Sequence, residues 1–237
     1  MSLSTPAFSV QEALANTHAR IATACQLANR KKNDVMLLAV SKTKPLADVM
    51  LAYKEGQRHF GENYLQDALD KIDHCPKSDV IWHFIGAIQS NKTKTIAAKF
   101  DWVHTLDRSK IALRLNDHRP AHLPPLKVLI QVNISAEENK AGIAVDQLDE
   151  LVKQVVGLPN LMLCGLMCIP ATGQSEAIQR DTFHKMKALR DTLQTTYPHI
   201  KELSMGMSGD LALAIACDSS IVRIGTDIFG ARTADKA

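Results

Sequence analysis

Short aliphatic runs without alternating polar positions recur along this chain, each followed by a stretch with apolar residues at helical spacing. This alternation limits the possible folds more than any other feature. A strand with no polar face is buried on both sides, as in parallel sheets covered by helices. The clearest runs are Leu37 to Val40 and Leu126 to Asn133; others lie at Gln57 to Gly61, Val80 to Ile85, Trp102 to Leu106, Asn160 to Cys168, Leu203 and Ile221 to Ile224. The spacing predicts a leading helix over Ser9 to Lys32, then helices from Pro45 to Gly56, Tyr64 to Ile72, Asn91 to Lys99, Ser109 to Asn116, Val145 to Val156, Ser175 to Thr196 and Asp210 to Ala216. Eight βα units in 237 residues match the size of a (β/α)8 TIM barrel, whereas an open doubly wound sheet usually has about five to seven strands. The expected fold is therefore α/β, a single TIM barrel with an extra N-terminal helix, forming one domain over residues 1–237. No linker, low-complexity tract or repeat divides the sequence.

Composition narrows the function. A formal charge of +3 with scattered lysines does not make the concentrated basic stripe that a phosphate backbone requires, so nucleic acid is not an expected partner. Met1 to Val10 lacks a signal-peptide pattern and no apolar run is long enough to span a bilayer, so a cytoplasmic protein away from membranes is expected. The five cysteines are dispersed and odd in number, and Cys164 and Cys168 lie within an apolar run; all read as reduced and structural. Nine histidines give no metal-type spacing, and no metal site is expected.

Two parts of the chain carry chemistry. The run Leu37 to Ser41 stops at Lys42, with Pro45 soon after, which places a primary amine at the carboxyl end of a core strand, where α/β folds collect their active sites. Lys42 is a candidate for Schiff-base chemistry. On this stretch alone, a lysine that ends a strand and snorkels to water is the simpler account. The other part is Ser204-Met205-Gly206-Met207-Ser208-Gly209-Asp210 together with Arg223-Ile224-Gly225-Thr226. Barrels often bind phosphate in the loops after strands seven and eight, where glycines admit the anion to backbone N–H groups. Ser204, Ser208 and Thr226 add hydroxyl donors. Taken singly, each loop reads as turn residues and a helix cap. Two such loops across the barrel mouth from a strand-one lysine imply a ligand with a phosphate at one end and a carbonyl at the other. Pyridoxal 5′-phosphate fits, with Arg223 at its pyridine nitrogen.

With these motifs the chain resembles the pyridoxal-phosphate homeostasis proteins, also called the proline synthetase co-transcribed family, whose barrel is similar to the N-terminal domain of alanine racemase. The resemblance runs from Leu37 to Arg232. It rests on AVSKTKP with Lys42, FGENY at Phe60 to Tyr64, HFIGAIQSNK at His83 to Lys92, VNISAEENKAG at Val132 to Gly142, LSMGMSGD and VRIGTDIFGAR. It implies a covalent aldimine between pyridoxal 5′-phosphate and Lys42, phosphate contacts from Ser204, Ser208, Gly225 and Thr226, Arg223 at the ring nitrogen, Asn63 lining the site and Lys140 as a second functional lysine. Met207 is counted in the cofactor-binding set, although its side chain, like that of Met205, reads as packing. The stretch LALAIACDSS after Asp210 departs from the family pattern near Ala212 and at Cys217-Asp218, outside the phosphate loop. His83 and His104 read as satisfied core or rim histidines, Glu62 as a helix-start carboxylate, and Lys92, Lys94 and Lys99 as a solvated helix face.

Three functions compete: a non-enzymatic cofactor carrier and regulator, an amino-acid racemase and a Schiff-base aldolase. An arginine at the pyridine nitrogen makes a weak electron sink, which disfavours general amino-acid chemistry but is compatible with carriage or racemisation. Two-base racemisation also needs an opposing base, which alanine racemases take from a tyrosine of a separate domain. Tyr53, Tyr64 and Tyr197 lie in barrel segments. An aldolase lysine would sit on a later strand. The expectation is a carrier without catalytic residues, monomeric, exchanging the cofactor with apo-enzymes, with a racemase as the alternative.

Overall fold

The computed structural model describes residues 9–135, 141–171 and 173–231. Its centre is a closed barrel of eight parallel strands in chain order: β1 Met36–Val40, β2 His59–Glu62, β3 Ile81–Phe84, β4 Trp102–Leu106, β5 Leu126–Gln131, β6 Leu161–Met167, β7 Glu202–Ser204 and β8 Ile221–Ile224. Around it run α2 Leu46–Lys54, α3 Leu65–His74, α4 Thr93–Lys99, α5 Ser109–His118, α6 Leu148–Val156, α7 Glu176–Thr196, α8 Leu211–Ala216 and the short α9 Thr226–Phe229, with α1 Val10–Leu27 leading the chain. The expected TIM barrel with an extra N-terminal helix is thus the fold.

Alternation along the strands sorts side chains into two layers. Leu37 and Ala39 pack outward with the helices, whereas Leu38 joins Trp102, Leu129, Cys164, Met167 and Ile221 in a smaller cluster inside the barrel. His83, His104 and Arg223 are also buried there. Closure is made by β1 against β8, where Leu38 pairs with Arg223 and Ala39 with Ile224. This seam brings the Lys42 segment beside the last strand.

The leading helix is capped by Ser9, whose side chain accepts from the Glu12 amide at 3.3 Å. It stops at Leu27, short of the expected Lys32, because Asn29 turns left-handed with φ 52°. A 3₁₀ turn at Lys32–Asp34 fills the rest. Helix α1 packs beside α8, α9 and α2, which places Arg20 against the loops that follow β7 and β8.

Candidate functional site

A pocket of about 330 Å³ opens at the carboxyl ends of the strands. It is lined by Lys42, Asn63, Met207, Ser208, Arg223, Gly225 and Thr226, and by the apolar Ile85, Met167 and Ile169. Seven of the nine residues expected from sequence therefore meet at one place. Ser204 stands apart. It is fully buried at the end of β7, and its hydroxyl is engaged with Arg223 Nη1 (2.8 Å) and His104 Nδ1 (2.9 Å) instead of facing the pocket with Ser208 and Thr226. Lys140 lies outside the described residues. The apolar lining escaped the sequence reading, though Ile85 directly follows β3, Met167 ends β6 and Ile169 lies just beyond it, all at the end of the barrel where sites form.

The turn carrying Lys42 is fixed from below. Ser41 N donates to Gly61 O and Lys44 N to Ser41 O, so the chain bends directly after β1. Thr43 takes φ 63°, unusual for a β-branched residue, and its amide donates to Asp67 Oδ2 at 3.0 Å. Beneath it, Lys71 Nζ donates to Ser41 O (2.8 Å) and to Glu62 Oε1 (2.7 Å), and lies 3.1 Å from Asp67 Oδ2. Ser41 Oγ donates to the same Glu62 oxygen at 2.5 Å. The reading of Glu62 as a helix-start carboxylate is corrected here: Glu62 is the last residue of β2, fully buried, while α3 begins at Leu65. Burial pushes its carboxyl above the ordinary carboxylate value, against the pull of Lys71.

Beside this turn, on the adjoining strand β8, Arg223 is held by neutral acceptors: Ser204 O (2.6 Å), Ser204 Oγ (2.8 Å) and Cys168 O (2.9 Å). Desolvation lowers its pKa, yet a guanidinium stays charged at any ordinary pH. Below it runs a row of imidazoles. His104 Nε2 lies 2.9 Å from His83 Nδ1, and His83 Nε2 lies 2.9 Å from His59 Nδ1. Burial first, then neighbouring positive charge, holds His83 and His104 well below the usual histidine pKa. Both are core histidines satisfied by hydrogen bonds.

The loops after β7 and β8 form the third wall. Gly206 adopts φ 97° to turn the chain, and a Cβ on Gly225 would stand 3.1 Å from Val40 O, a tight approach that any larger residue could keep only if β1 gave way by a few tenths of an ångström. Arg20 of α1 donates to Ser208 O at 2.6 Å and pairs with Asp227, joining the two loops. Lys92, Lys94 and Lys99 are exposed on and just before α4, as expected.

The pocket suits an anion with an electrophilic end. The charged residues in its lining are all cations, Lys42, Lys44 and Arg223, and Ser208 and Thr226 supply hydroxyl donors. Asn63 Oδ1 is buried with no hydrogen-bond partner, and a Cβ on Gly86 would fall 1.9 Å from the Asn63 carbonyl, so this glycine sets the position of Asn63. An acceptor left unsatisfied in a pocket awaits a donor from a ligand. Among the described residues no cluster of metal-ligating side chains occurs, and no helix is long and apolar enough to cross a membrane.

Residues 13–233 match the family model described as alanine racemase, N-terminal domain. The pyridoxal phosphate homeostasis protein of Vibrio cholerae is 50% identical over 228 residues, covering 94% of this chain and 97% of the relative. The structure of PipY from Synechococcus elongatus with PLP bound is 33% identical, with TM-score 0.81, covering 94% of this chain and all of PipY. Alanine racemase of Clostridium difficile 630, at 13% identity and TM-score 0.77, shares the fold; the match covers 99% of this chain and 61% of that enzyme. The chain therefore belongs to the alanine racemase N-terminal domain family and, within it, to the pyridoxal phosphate homeostasis proteins.

Proposed function

We propose that this barrel binds pyridoxal 5′-phosphate at its mouth and serves in the homeostasis of that cofactor, as store, donor and regulator without turnover of its own. The observation that carries this reading is the meeting of Lys42, Arg223 and the two hydroxyl-bearing loops around one pocket whose charged side chains are all cations. When bound, the cofactor supplies an aldehyde that a primary amine captures reversibly with loss of water. Lys42 is the amine placed to do so. Ser208, Gly225 and Thr226 hold the phosphate, Arg223 donates toward the ring nitrogen, Asn63 accepts from the ligand, and Met207 with Ile85 and Met167 packs against it. Ser204 acts through Arg223.

The lining of the pocket supports an absence of turnover. Among the described residues, its only titratable side chains are Lys42, Lys44 and Arg223, with no tyrosine, histidine, carboxylate or thiol to serve as an opposing base. The open mouth lets water and apo-enzymes reach Lys42, which suits exchange.

The test is borohydride reduction of the cofactor-loaded protein followed by peptide mass spectrometry. A phosphopyridoxyl group on Lys42 is expected; a label on any other peptide refutes the assignment. Racemisation of any amino acid with kcat in the usual range of about 1 to 10³ s⁻¹ would restore the racemase reading.

A further inference from the structure

The imidazole row inside the barrel has an internal logic beyond satisfying buried groups. Each neutral imidazole in such a row donates through one nitrogen and accepts through the other, so the tautomer of one ring dictates that of the next. Arg223 sets the direction. Its N–H groups can only donate, so Ser204 Oγ accepts from Arg223 Nη1 and turns its own proton to its other neighbour, His104 Nδ1. That nitrogen must then be bare. His104 consequently carries its proton on Nε2 and donates to His83 Nδ1, and His83 in turn donates from Nε2 to His59 Nδ1. The reverse order, with His104 Nδ1–H donating to Ser204, would strand the serine proton without an acceptor in a fully buried site. A charged ring at position 83 would set its Nδ1–H against His104 Nε2–H across 2.9 Å, and a charged ring at position 104 would set its Nδ1–H against the serine hydroxyl proton across 2.9 Å.

We propose that Arg223, Ser204, His104, His83 and His59 form a directed hydrogen-bond relay, with His104 and His83 both uncharged and protonated on Nε2, and that His104 is a positioning residue holding the Ser204 hydroxyl as an acceptor for Arg223. The charged side chains that bear on the two rings are Lys127 on β5 and Arg223 on β8, and both disfavour an imidazolium. The nearby thiols Cys164 and Cys168 are pushed up to about 11 and about 12 and supply no anion. The consequence for the cofactor rests on the reading of Arg223 as facing the ring nitrogen; the order of the tautomers does not.

Long-range ¹H–¹⁵N correlation spectra of the full-length labelled protein, recorded without cofactor, read the protonation of each ring. Signals are assigned with His83→Gln and His104→Asn. His83 and His104 are expected as neutral Nε2–H rings, unchanged from about pH 8 to about pH 5; an Nδ1–H or charged form of either at neutral pH overturns the relay. Positioning is read from exchange of the Arg223 guanidinium protons, which should be about tenfold faster in His104→Leu. In His104→Asn, whose amide oxygen can replace Nδ1 as acceptor, exchange should return to within about twofold of the parent. Unchanged exchange in the leucine variant overturns the positioning role. Should that variant not fold, about tenfold faster exchange in the asparagine variant does so instead. Failure to label Lys42 with tautomers as stated would refute the cofactor reading and leave the relay standing.

Discussion

Lys42 and Lys71 flank the same residue, Ser41, and the fold treats them in opposite ways. Lys71 is 2% exposed and faces three acceptors, Ser41 O, Glu62 Oε1 and Asp67 Oδ2, enough for every proton of its ammonium. Lys42 stands partly exposed in the lining of the pocket. Burial is the usual mark of a reactive lysine, and by that mark alone Lys71 would be chosen. Position decides instead: Lys71 is a structural rivet, spent on fixing the turn however dry its surroundings, whereas Lys42 lines the pocket. The buried wall between β1, β2 and α3 holds the turn, and the mouth carries the pocket.

Substituting each lysine in turn separates the two roles. Lys71→Met leaves the Glu62 carboxylate buried without its cation and should lower unfolding free energy by about 3–5 kcal/mol in urea melts. Lys42→Ala should change stability by no more than about 0.5 kcal/mol while abolishing the reducible adduct. The opposite ranking would show that the rivet has been misidentified. Next, Ser208→Ala combined with Thr226→Ala should weaken pyridoxal 5′-phosphate binding by about 3 kcal/mol in equilibrium dialysis, since hydrogen bonds to a charged group are each worth about 1.5–3 kcal/mol. Binding of pyridoxal, which lacks the phosphate, should not change. An equal loss for both aldehydes would remove these loops from phosphate binding.

Acid should separate the buried interior from the mouth. His83 and His104 have lowered native pKa values, so the folded state binds fewer protons than the unfolded chain. Their contribution is complete above the unfolded value of about 6.5 and is lost as pH falls from there toward the native values, by up to about 2.7 kcal/mol per pH unit for the pair. Glu62 opposes this. Its raised native pKa favours the folded state at low pH and loses that contribution as pH rises past the unfolded value. Urea midpoints measured against pH in a Glu62→Gln background isolate the histidine slope; a flat profile below about pH 6.5 would contradict it. The smallest effect concerns α1. Arg20→Gln should weaken cofactor retention by about 1 kcal/mol, because the contacts it makes to Ser208 O and Asp227 are partly exposed. No change in dissociation rate would show that the two loops hold each other without it.

The barrel was legible because its strands are buried on both faces and read as unbroken aliphatic runs, Leu37 to Val40 most plainly. What periodicity does not encode was misplaced. The end of α1 depends on the left-handed backbone of Asn29, and the four residues of α9 are too few to show a helical period. Glu62 was misread for a related reason: its partner Lys71 lies nine residues on, across the following helix, where no local pattern reveals the pairing. Seven of the nine expected site residues line one pocket because each sits at a strand end or in a glycine-bearing loop, a position that sequence can locate. Ser204 obeys the same rule but is drawn under Arg223 by His104, a contact between β4 and β7 spanning 100 residues that becomes visible only in three dimensions.

The seam between β1 and β8 bears on how this protein is made and lost. Lys44 Nζ reaches Ala231 O, 187 residues further along the chain, and Arg20 reaches Ser208 O across 188. The pocket consequently comes into existence only when the final strand docks beside the first, so a nascent chain gains nothing from ligand until synthesis of the barrel is almost finished. Afterwards the roles reverse. A molecule gripped on both sides of the seam acts as a removable clasp on a very long loop, whose closure entropy grows only slowly with length. By stabilising contacts formed late, the clasp would retard opening of the finished barrel far more than it hastens assembly. Emptying the pocket would then shorten the lifetime of the carrier itself.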